Sequence, residues 1–373
     1  MTREHGYDDD SCPQGMSRRE FIKLAAMAGL LAGCRPARQP EAVPTSAPTD
    51  TPSPMPSPVP TTTTPTAAPT ATSTVIPTVA PPTDSGKVVR ARHAGVWDGD
   101  TLVPDAIRRM LAASITALTG LNDAGAAWAS LFDPNERIAI KVNTIRTSDF
   151  WTHAPLVMAV TECLQEAGVL AEQIVIFDRD IYELENASYP LNQDGPGVRC
   201  YGTDGNYTAG WTIMDTDIRL SDILLNCDAL INMPILKHHN HSGITFAMKN
   251  HFGAFDRPGF FHRPLTGAAM VELNGLPPIR DRTRLVIGDT LTVCPLSRGG
   301  WSQAVTGDSI LVSFDPVAHD AVGLQVLSEA MVSEGYDPAA ALDLAAHWLA
   351  SAAELGLGIG DLDDIELVEV KLG

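Results

Sequence analysis

Apolar residues recur with two different periods after residue 86, and these periods predict alternating strands and helices. Short runs with a period of two indicate strands, and apolar positions three and four apart indicate amphipathic helices. The first predicted elements are strand 88–92, helix 104–118, strand 137–143, helix 154–167 and strand 174–177. Strands separated by helices pair in parallel through crossover connections. We therefore predict an α/β domain over residues 87–373, with a mostly parallel sheet and crossover helices.

Two polar stretches interrupt this alternation and predict irregular insertions. Residues 180–211 are rich in Gly, Asn, Pro and Tyr, and residues 255–282 show no regular period. Such sequence favours turns and loops. The other predicted elements are helix 218–225, strand 229–235, strand 285–287, strand 310–314, helix 316–331, helix 338–355 and strand 365–370. The α/β order therefore continues through residue 370.

Residues 227–253 hold the densest group of reactive side chains. The apolar run 229–235 predicts a strand, residues 237–242 a polar loop, and the spacing from residue 244 onward a helix. Two lysines and four of the ten histidines lie here, namely Lys237, His238, His239, His241, Lys249 and His251. In α/β folds, ligands gather where strands end and helices begin, because a helix N-terminus offers unpaired N–H donors. We expect the loop to bind a ligand.

Three predicted strands end in a polar residue, at Asn143, Asp178 and Asp289. The carboxyl ends of parallel strands lie at one edge of a sheet, so we expect these residues to share a crevice with the 237–242 loop. An alternative is that each residue only caps a helix or shapes a turn, as Asp and Asn often do. For the loop this alternative is weaker, since turn geometry does not require Lys-His-His-Asn-His.

The residue types in this crevice predict anion binding and proton transfer. Lys237, placed before a helix N-terminus opened by Gly243, would hold an anion through its charge and the unpaired N–H groups. Lys249 lies four residues after Thr245, so the two would share a helix face. His239 suits general acid or base catalysis, or ligation of a metal through one nitrogen.

Two carboxylates and one imidazole form the candidate metal site. Asp178, Asp289 and His239 would hold a divalent or transition metal in this crevice. Other histidines are expected to be solvated or structural, namely His238, His241 and His319.

Residues 1–33 are typical of an export signal. The motif Ser-Arg-Arg-Glu-Phe-Ile-Lys at 17–23 resembles the twin-arginine signature, and the apolar run 24–32 is too short to span a bilayer. The Leu-Ala-Gly-Cys sequence ending at Cys34 resembles a bacterial lipobox. It implies a lipid on Cys34 and anchoring to the cell membrane outside the cytoplasm. The alternative is a short membrane anchor with a coincidental cysteine. The polar extension before Met16 suggests Met16 as the true start.

Residues 34–86 consist mainly of Pro, Thr, Ser and Ala. Such a segment cannot bury enough apolar surface to offset its ordering entropy, so we expect a disordered stalk. The predicted order is therefore signal peptide (1–33), stalk (34–86) and α/β domain (87–373). The expected partners are the membrane, the twin-arginine export machinery and a small anionic ligand.

Charge and cysteine usage narrow the function classes. A net charge of -19 without a basic stripe argues against nucleic-acid binding. Four cysteines lie in the predicted domain without any Cys-x-x-Cys pair, namely Cys163, Cys200, Cys227 and Cys294. This argues against an iron–sulfur cluster and a structural zinc site. Disulfides are permitted outside the cytoplasm, and their three pairings stay open. Twin-arginine export favours a bound cofactor of unknown identity.

The central block contains a pattern of Pro, then Lys-x-His, then Gly-x-Thr, then Lys-Asn followed by Phe-Gly. The pattern falls on Pro234, Lys237, His239, Gly243, Thr245, Lys249, Asn250, Phe252 and Gly253. Outside the block stand Lys141-Val142-Asn143, Asp315-Pro316-Val317-Ala318 and Asp320. In these residues the sequence resembles the DUF362 family, whose function is unassigned and which occurs in bacteria and archaea.

The resemblance spans about residues 89–327 and adds Lys141 and Asn250 to the candidate site. Some family members resemble redox proteins in carrying a ferredoxin-like cluster module. This sequence lacks that module, so the resemblance implies no redox role. Ile235 and His238 depart from the family pattern, which bears on the charge of the pocket.

Two classes of function fit these residues. In the first, an enzyme acts on a small anionic or metal-bound substrate through Lys237, His239, Lys249 and Asn250, with Lys141, Asn143, Gly243 and Thr245 binding the ligand. In the second, the chain is a tethered solute- or metal-binding receptor without catalysis. Receptors of this kind usually have two similar lobes, and one lobe is predicted here, which favours the enzyme. No nucleophile elbow, phosphate loop or dinucleotide glycine pattern names the reaction.

Overall fold

A ten-stranded sheet organises the computed structural model, which describes residues 86–145, 150–262, 264–298 and 301–373. The strands are β1 (Lys87–His93), β2 (Trp97–Asp98), β3 (Thr101–Leu102), β4 (Ile138–Lys141), β5 (Ile174–Asp178), β6 (Arg199–Gly202), β7 (Tyr207–Ile213), β8 (Thr216–Ser221), β9 (Ala229–Asn232), β10 (Ile235–His239), β11 (Gly243–Thr245), β12 (Thr283–Arg298), β13 (Trp301–Ser313) and β14 (Glu366–Leu372).

Helices connect and flank these strands. The α-helices are α1 (Pro104–Thr119), α2 (Ala124–Leu131), α3 (Ala154–Glu166), α4 (Ile181–Asn186), α5 (Asp222–Asn226), α6 (Ala247–Asn250), α7 (Thr266–Gly275), α8 (Pro277–Arg280), α9 (Pro316–Ser333) and α10 (Ala339–Glu354). Short 3-10 helices span Ala171–Gln173, His251–Ala254, Pro258–Phe261 and Leu362–Asp364.

The sheet is mixed, with mostly parallel pairs. Its order is β14-β1-β13-β12-β9-β4-β5-β6, with β10 beside β12 and β11 beside β10. All neighbours from β12 to β6 are parallel, as are β1 with β14 and β10 with β12. Strand β13 is antiparallel to both of its neighbours, and β11 is antiparallel to β10. This arrangement confirms the predicted α/β fold with a mostly parallel sheet.

Apolar side chains on both faces of the sheet form two cores. Along β4, Ile138 and Ile140 belong to one core and Ala139 to the other, as the period of two requires. Helices α1, α2 and α3 supply the first core, and α7, α9 and α10 supply the second. The described residues therefore form three layers, with the sheet in the middle.

Helix α1 shows how local sequence specified an element. Pro104 occupies its first turn, where a missing N–H costs nothing, and Gly120 ends it with a φ of 75°. Its buried side chains include the predicted apolar stripe, namely Ile107, Met110, Leu111, Ile115 and Leu118. The helix predicted at 104–118 is confirmed.

The central block folds differently from its prediction. The predicted loop at 237–242 and helix from residue 244 are wrong, because β10 and β11 form an antiparallel hairpin that contains Lys237 and His239. The helix begins only at α6. The helical spacing misled because consecutive residues of β11 are all buried and therefore apolar or small.

Two further elements differ from the sequence prediction. The strand predicted to end near Asp289 continues through it, because β12 pairs with β13 in a long hairpin. The helix predicted at 218–225 is the end of β8 followed by the short α5. The insertion predicted at 180–211 contains β6, which extends the main sheet, and β7, which pairs with β8.

The predicted signal at 1–33, with Cys34, and the predicted stalk up to residue 85 lie outside the described residues. Within the part of the chain that the structure describes, no helix combines the length and apolarity needed to cross a membrane.

Candidate functional site

The ends of two neighbouring parallel strands bring a lysine and a carboxylate together. Lys141 is the last residue of β4 and Asp178 the last of β5. The Lys141 Nζ atom lies 2.6 Å from Asp178 Oδ1, and both side chains are buried. The other carboxylate oxygen accepts the backbone N–H of Thr144 at 2.6 Å and its hydroxyl at 2.9 Å. The carboxylate therefore uses both oxygens within the protein.

Asn250 connects these strand ends to α6. Its Oδ1 accepts from Asn143 Nδ2 at 3.2 Å and from Lys141 Nζ at 3.5 Å. Its Nδ2 donates to Asn232 Oδ1 at 2.7 Å and to the Lys141 carbonyl at 3.1 Å. Asn250 is thus a fully bonded link between the sheet edge and the segment that follows the hairpin.

Lys237 reaches this network from β10. Its Nζ donates to Asn143 Oδ1 at 2.7 Å and to the Phe150 carbonyl at 2.8 Å, both of which are uncharged acceptors. Burial lowers the pKa of Lys237 to about 8, although nearby Cys294 and Asp178 oppose this effect. Lys237 is therefore a buried amine that loses its proton more readily than an ordinary lysine.

Lys249 occupies a less polar position beside a histidine. Its Nζ lies 4.4 Å from the centre of the Phe252 ring and 3.4 Å from His262 Nε2. Burial, together with the charge of Lys237, lowers the pKa of Lys249 to about 7. Among the described residues, no carboxylate forms a salt bridge with Lys249. Its charged form therefore has little compensation from the residues that the structure describes.

Two partly buried histidines lie beside this cluster. The rings of His239 and His262 have their centres 5.7 Å apart, and both side chains are partly buried. Burial and then the charge of Lys249 hold the pKa of His239 well below its usual value. The Nδ1 of His262 donates to the Pro258 carbonyl at 2.9 Å, so in the neutral ring Nε2 accepts from Lys249.

The hairpin explains the remaining predicted ligand residues. Thr245 stands opposite Lys237, and Gly243 opposite His239, in the β10–β11 register. Gly243 has a φ of 78°, and a Cβ there would collide with the Ala341 carbonyl. The backbone geometry alone therefore explains why residue 243 is glycine, and no bound ligand is needed to explain it.

Gly253 closes over the Lys141–Asp178 pair. A Cβ at this position would lie 2.6 Å from Asp178 Oδ1 and 2.7 Å from Lys141 Nζ. Only glycine allows the backbone to approach the ion pair this closely.

The structure does not bring the three predicted metal ligands together. Asp178 accepts a hydrogen bond from Lys141 Nζ. Asp289 instead accepts from the backbone N–H and Nδ1 of His153, at 2.8 and 2.7 Å. Across residues 86–145, 150–262, 264–298 and 301–373, no group of three or more His, Cys, Asp or Glu side chains could hold a metal. We therefore derive no chemistry through a metal at Asp178, Asp289 and His239.

His153 and His262 are the two site residues that sequence reasoning missed. His153 lies before α3, and Asp289 lies 136 residues later in the chain. Burial lowers the pKa of His153, but the Asp289 charge and hydrogen bond outweigh it, and the net pKa is raised. No local pattern signals this contact. For His262, its position among basic residues in an irregular stretch was the only available signal.

His251, His319 and the four cysteines are buried in contacts that stabilise the fold. His251 and His319 are buried, His251 bonds Asn274, and His319 stacks on Phe246. His319 was predicted as a structural residue. The four cysteines are buried outside any disulfide, namely Cys163, Cys200, Cys227 and Cys294.

One cavity has none of the lysines of the cluster in its lining. It measures about 600 Å³ and opens near Thr283, where β12 begins, and Asp315, where α9 begins. This is the opposite edge of the sheet from Lys141 and Asp178. Asp315 is used there as a helix cap, accepting from Val317 and Ala318. We therefore place the candidate site at the lysine cluster, where ionisable groups converge.

Sequence comparison adds the family. The model for a domain of unknown function, DUF362, matches residues 138–325, slightly more than half of the chain. The chain belongs to the DUF362 family. The matched residues contain Lys141, Asp178, Lys237, Lys249 and His262, so the whole candidate site lies within the DUF362 domain. No curated protein matches the chain.

Solved structures show a partial likeness in the arrangement of strands and helices. One is the lactate racemase apoprotein from Thermoanaerobacterium thermosaccharolyticum, with 10% identity and a TM-score of 0.37, covering 65% of this chain and 57% of that one. Another is a structural genomics target from Thermotoga maritima, with 10% identity and a TM-score of 0.37, covering 62% of this chain and 60% of that one. The chain thus spans less than two thirds of either protein.

Proposed function

We propose that the DUF362 domain is an enzyme that binds a small anionic substrate at the lysine cluster and transfers a proton to or from it. The observation that carries the proposal is the placement of Lys249, a buried amine whose Nζ lies 3.4 Å from His262 Nε2 and which, among the described residues, forms no salt bridge with a carboxylate. Burial, and then the charge of Lys237, lowers its pKa to about 7. Buried cations without a carboxylate partner are costly, and a bound anion would supply the missing charge.

The groups around Lys249 support proton transfer rather than binding alone. A catalytic acid or base works best when its pKa lies near the working pH. Lys249 and Lys237 meet this condition, and His262 Nε2 can accept a proton from Lys249 over 3.4 Å. Amines with pKa values lowered towards neutral pH are found mainly where catalysis needs them, which favours an enzyme over a receptor.

Anion binding is tested by calorimetry with inorganic phosphate and with pyruvate at pH 6. The parent protein should bind at least one of them, and Lys249→Met should bind at least about tenfold more weakly, since one charge-assisted contact contributes about 1.5 to 3 kcal/mol. The matched control is Lys371→Met, which removes an exposed lysine. Equal binding by the parent and Lys249→Met would contradict the proposed site.

Catalysis is tested separately by proton exchange. Small oxo acids are incubated with the parent protein in deuterated water, and exchange at the carbon beside the carbonyl is followed by NMR. We expect exchange that depends on Lys249 and falls by at least about 100-fold in Lys249→Met. Anion binding without exchange for any tested acid would favour the tethered receptor.

We further propose that this domain is displayed outside the cytoplasm on a lipid anchor at Cys34. The support is sequence order, since Arg18 and Arg19 precede an apolar run that ends at Cys34. Changing both arginines to lysine should retain the precursor in the cytoplasm. Cys34→Ala should leave the signal uncleaved or release the protein from the lipid fraction. A processed Cys34→Ala protein that still sediments with membranes would contradict the anchor.

A further inference from the structure

Lysine is rare in this chain and is concentrated at the candidate site. The sequence has six lysines, and five of them lie in residues 87–373. Three of those five are buried at the cluster, namely Lys141, Lys237 and Lys249. Apart from the six lysines, the Lys+Arg residues of the chain are arginines. Arginine holds a positive charge equally well but cannot lose it in a protein. A buried lysine can therefore fill a role that arginine cannot, that of a neutral amine.

The three buried lysines differ in what they are free to do. Lys141 donates to Asp178 and to the Val142 carbonyl, both at 2.6 Å. Lys237 donates to Asn143 and to a backbone carbonyl. Lys249 has one long contact, 3.4 Å to His262 Nε2, and otherwise faces the Phe252 ring. The Lys249 amine therefore has the fewest hydrogen bonds to break before it reacts.

We propose that Lys249 is a nucleophile that forms a covalent imine with a small aldehyde or ketone carrying an anionic group. This inference rests on the proposed function, because the anionic group is what the cluster would bind. Lys237 and the charged form of Lys249 would attract the anionic group, and the neutral form of Lys249 would then attack the carbonyl carbon. His262 would carry protons between the amine and the carbonyl oxygen.

The step balances without any oxidant or reductant. His262 Nε2 takes one proton from the Lys249 ammonium, and the freed lone pair on Nζ attacks the carbonyl carbon. The carbonyl π electrons move to oxygen, which takes up a proton from the attacking nitrogen to give a carbinolamine. His262 then returns its proton to this hydroxyl, which leaves as water while the nitrogen lone pair forms the C=N bond. One ammonium and one carbonyl give one protonated imine and one water.

The electrostatics of the site support this chemistry. An ordinary lysine at neutral pH is almost entirely protonated and unreactive. Burial beside a second cation is a known way to activate such an amine. Lys249 meets this condition, because burial and then the charge of Lys237 lower its pKa to about 7.

The test is reductive trapping on the full chain. The protein is mixed with glyoxylate, an anionic aldehyde, and reduced with borohydride, which converts an imine into a stable secondary amine. Peptide mapping by mass spectrometry then assigns the adduct among the six lysines. We expect the adduct on Lys249 at least about tenfold above the exposed Lys371, and its loss in Lys249→Arg. Equal labelling of Lys249 and Lys371 would overturn the proposal.

A second measurement tests the proposal even if Lys249→Arg fails to fold. In the parent protein, inorganic phosphate should suppress labelling of Lys249 and leave labelling of Lys371 unchanged. In His262→Gln, the adduct should form at least about tenfold more slowly, since proton transfer by a positioned side chain contributes at least that much. If neither phosphate nor the His262→Gln substitution changes the rate or extent of labelling at Lys249, the mechanism is contradicted.

The outcomes separate this inference from the proposed function. If phosphate binds by calorimetry but no imine is trapped on Lys249, the imine is wrong and the anion site stands. If neither phosphate nor pyruvate binds and no imine forms, both are wrong.

Discussion

Two halves of one sheet edge handle buried charge in opposite ways. Around Lys141 and Asp178, each charge meets its counterpart, Thr144 donates to the second carboxylate oxygen, and Asn250 accepts from Lys141. Around Lys249, a buried amine faces an aromatic ring and a histidine. A network with all hydrogen bonds made holds its side chains in one geometry. A buried charge without a partner is costly in free energy, and a bound ion of opposite charge would reduce that cost. The first half is bonded as a structural support, and the second half is where we propose the chemistry.

The largest expected effect breaks the supporting half. Asp178→Asn removes the partner of Lys141 and should lower the free energy of unfolding by about 3 to 5 kcal/mol, because it leaves a buried charge unpaired. Urea unfolding followed by circular dichroism measures this loss. The matched control is Asp228→Asn, which breaks the exposed Arg137 pair and should cost less than about 1 kcal/mol. Similar costs for both variants would remove the distinction between the halves.

The reactive half should respond in the opposite direction. Lys249→Met should raise the free energy of unfolding at pH 6 by about 1 to 4 kcal/mol, since it removes a buried charge and keeps apolar volume. The folded pKa of about 7 lies below the ordinary 10.5, so burial of the charged form destabilises most below pH 7. The gain should therefore shrink as pH rises from 7 towards 10.5. Denaturation curves at pH 6 and pH 9 measure it, and Lys371→Met should show no gain. A loss of stability at pH 6 would contradict this account.

The third effect concerns His153 and its buried partner. Its raised pKa means that the charged form is stabilised in the folded protein, so this stability is present below the ordinary pKa of 6.5 and is lost as pH rises through the folded value. Asp289→Asn should therefore cost more at pH 5.5 than at pH 8.5, by about 1.5 to 3 kcal/mol for one charged hydrogen bond. Proton NMR should also show a lower pKa for His153 in Asp289→Asn than in the parent protein. A cost independent of pH would mean that Asp289 acts only through the backbone.

Sequence reasoning located the supporting half because its residues end apolar strands. Asn143 and Asp178 follow runs with a clear period of two, and parallel pairing places such ends together. The lysine and histidine block was also visible as an unusual composition. These signals are local, so one sequence was enough to show them.

The rest depends on contacts between distant parts of the chain. Asp289 was expected at a strand end with a metal, but it lies within β12 and binds His153 from the start of α3. The hairpin of β10 and β11 could not be distinguished from a loop and helix, because buried residues in both have apolar side chains. His262 reaches Lys249 through the 3-10 turn at 258–261, which has no periodic signal.

The direct test of the central claim is the titration of the lysine amines by NMR. Six lysines labelled at the ε carbon give few signals, and Lys249→Arg and Lys237→Arg assign two of them. We expect a pKa of about 7 for Lys249 and about 8 for Lys237 in the free protein, both rising when inorganic phosphate binds. Values near 10.5 that phosphate does not change would contradict the account.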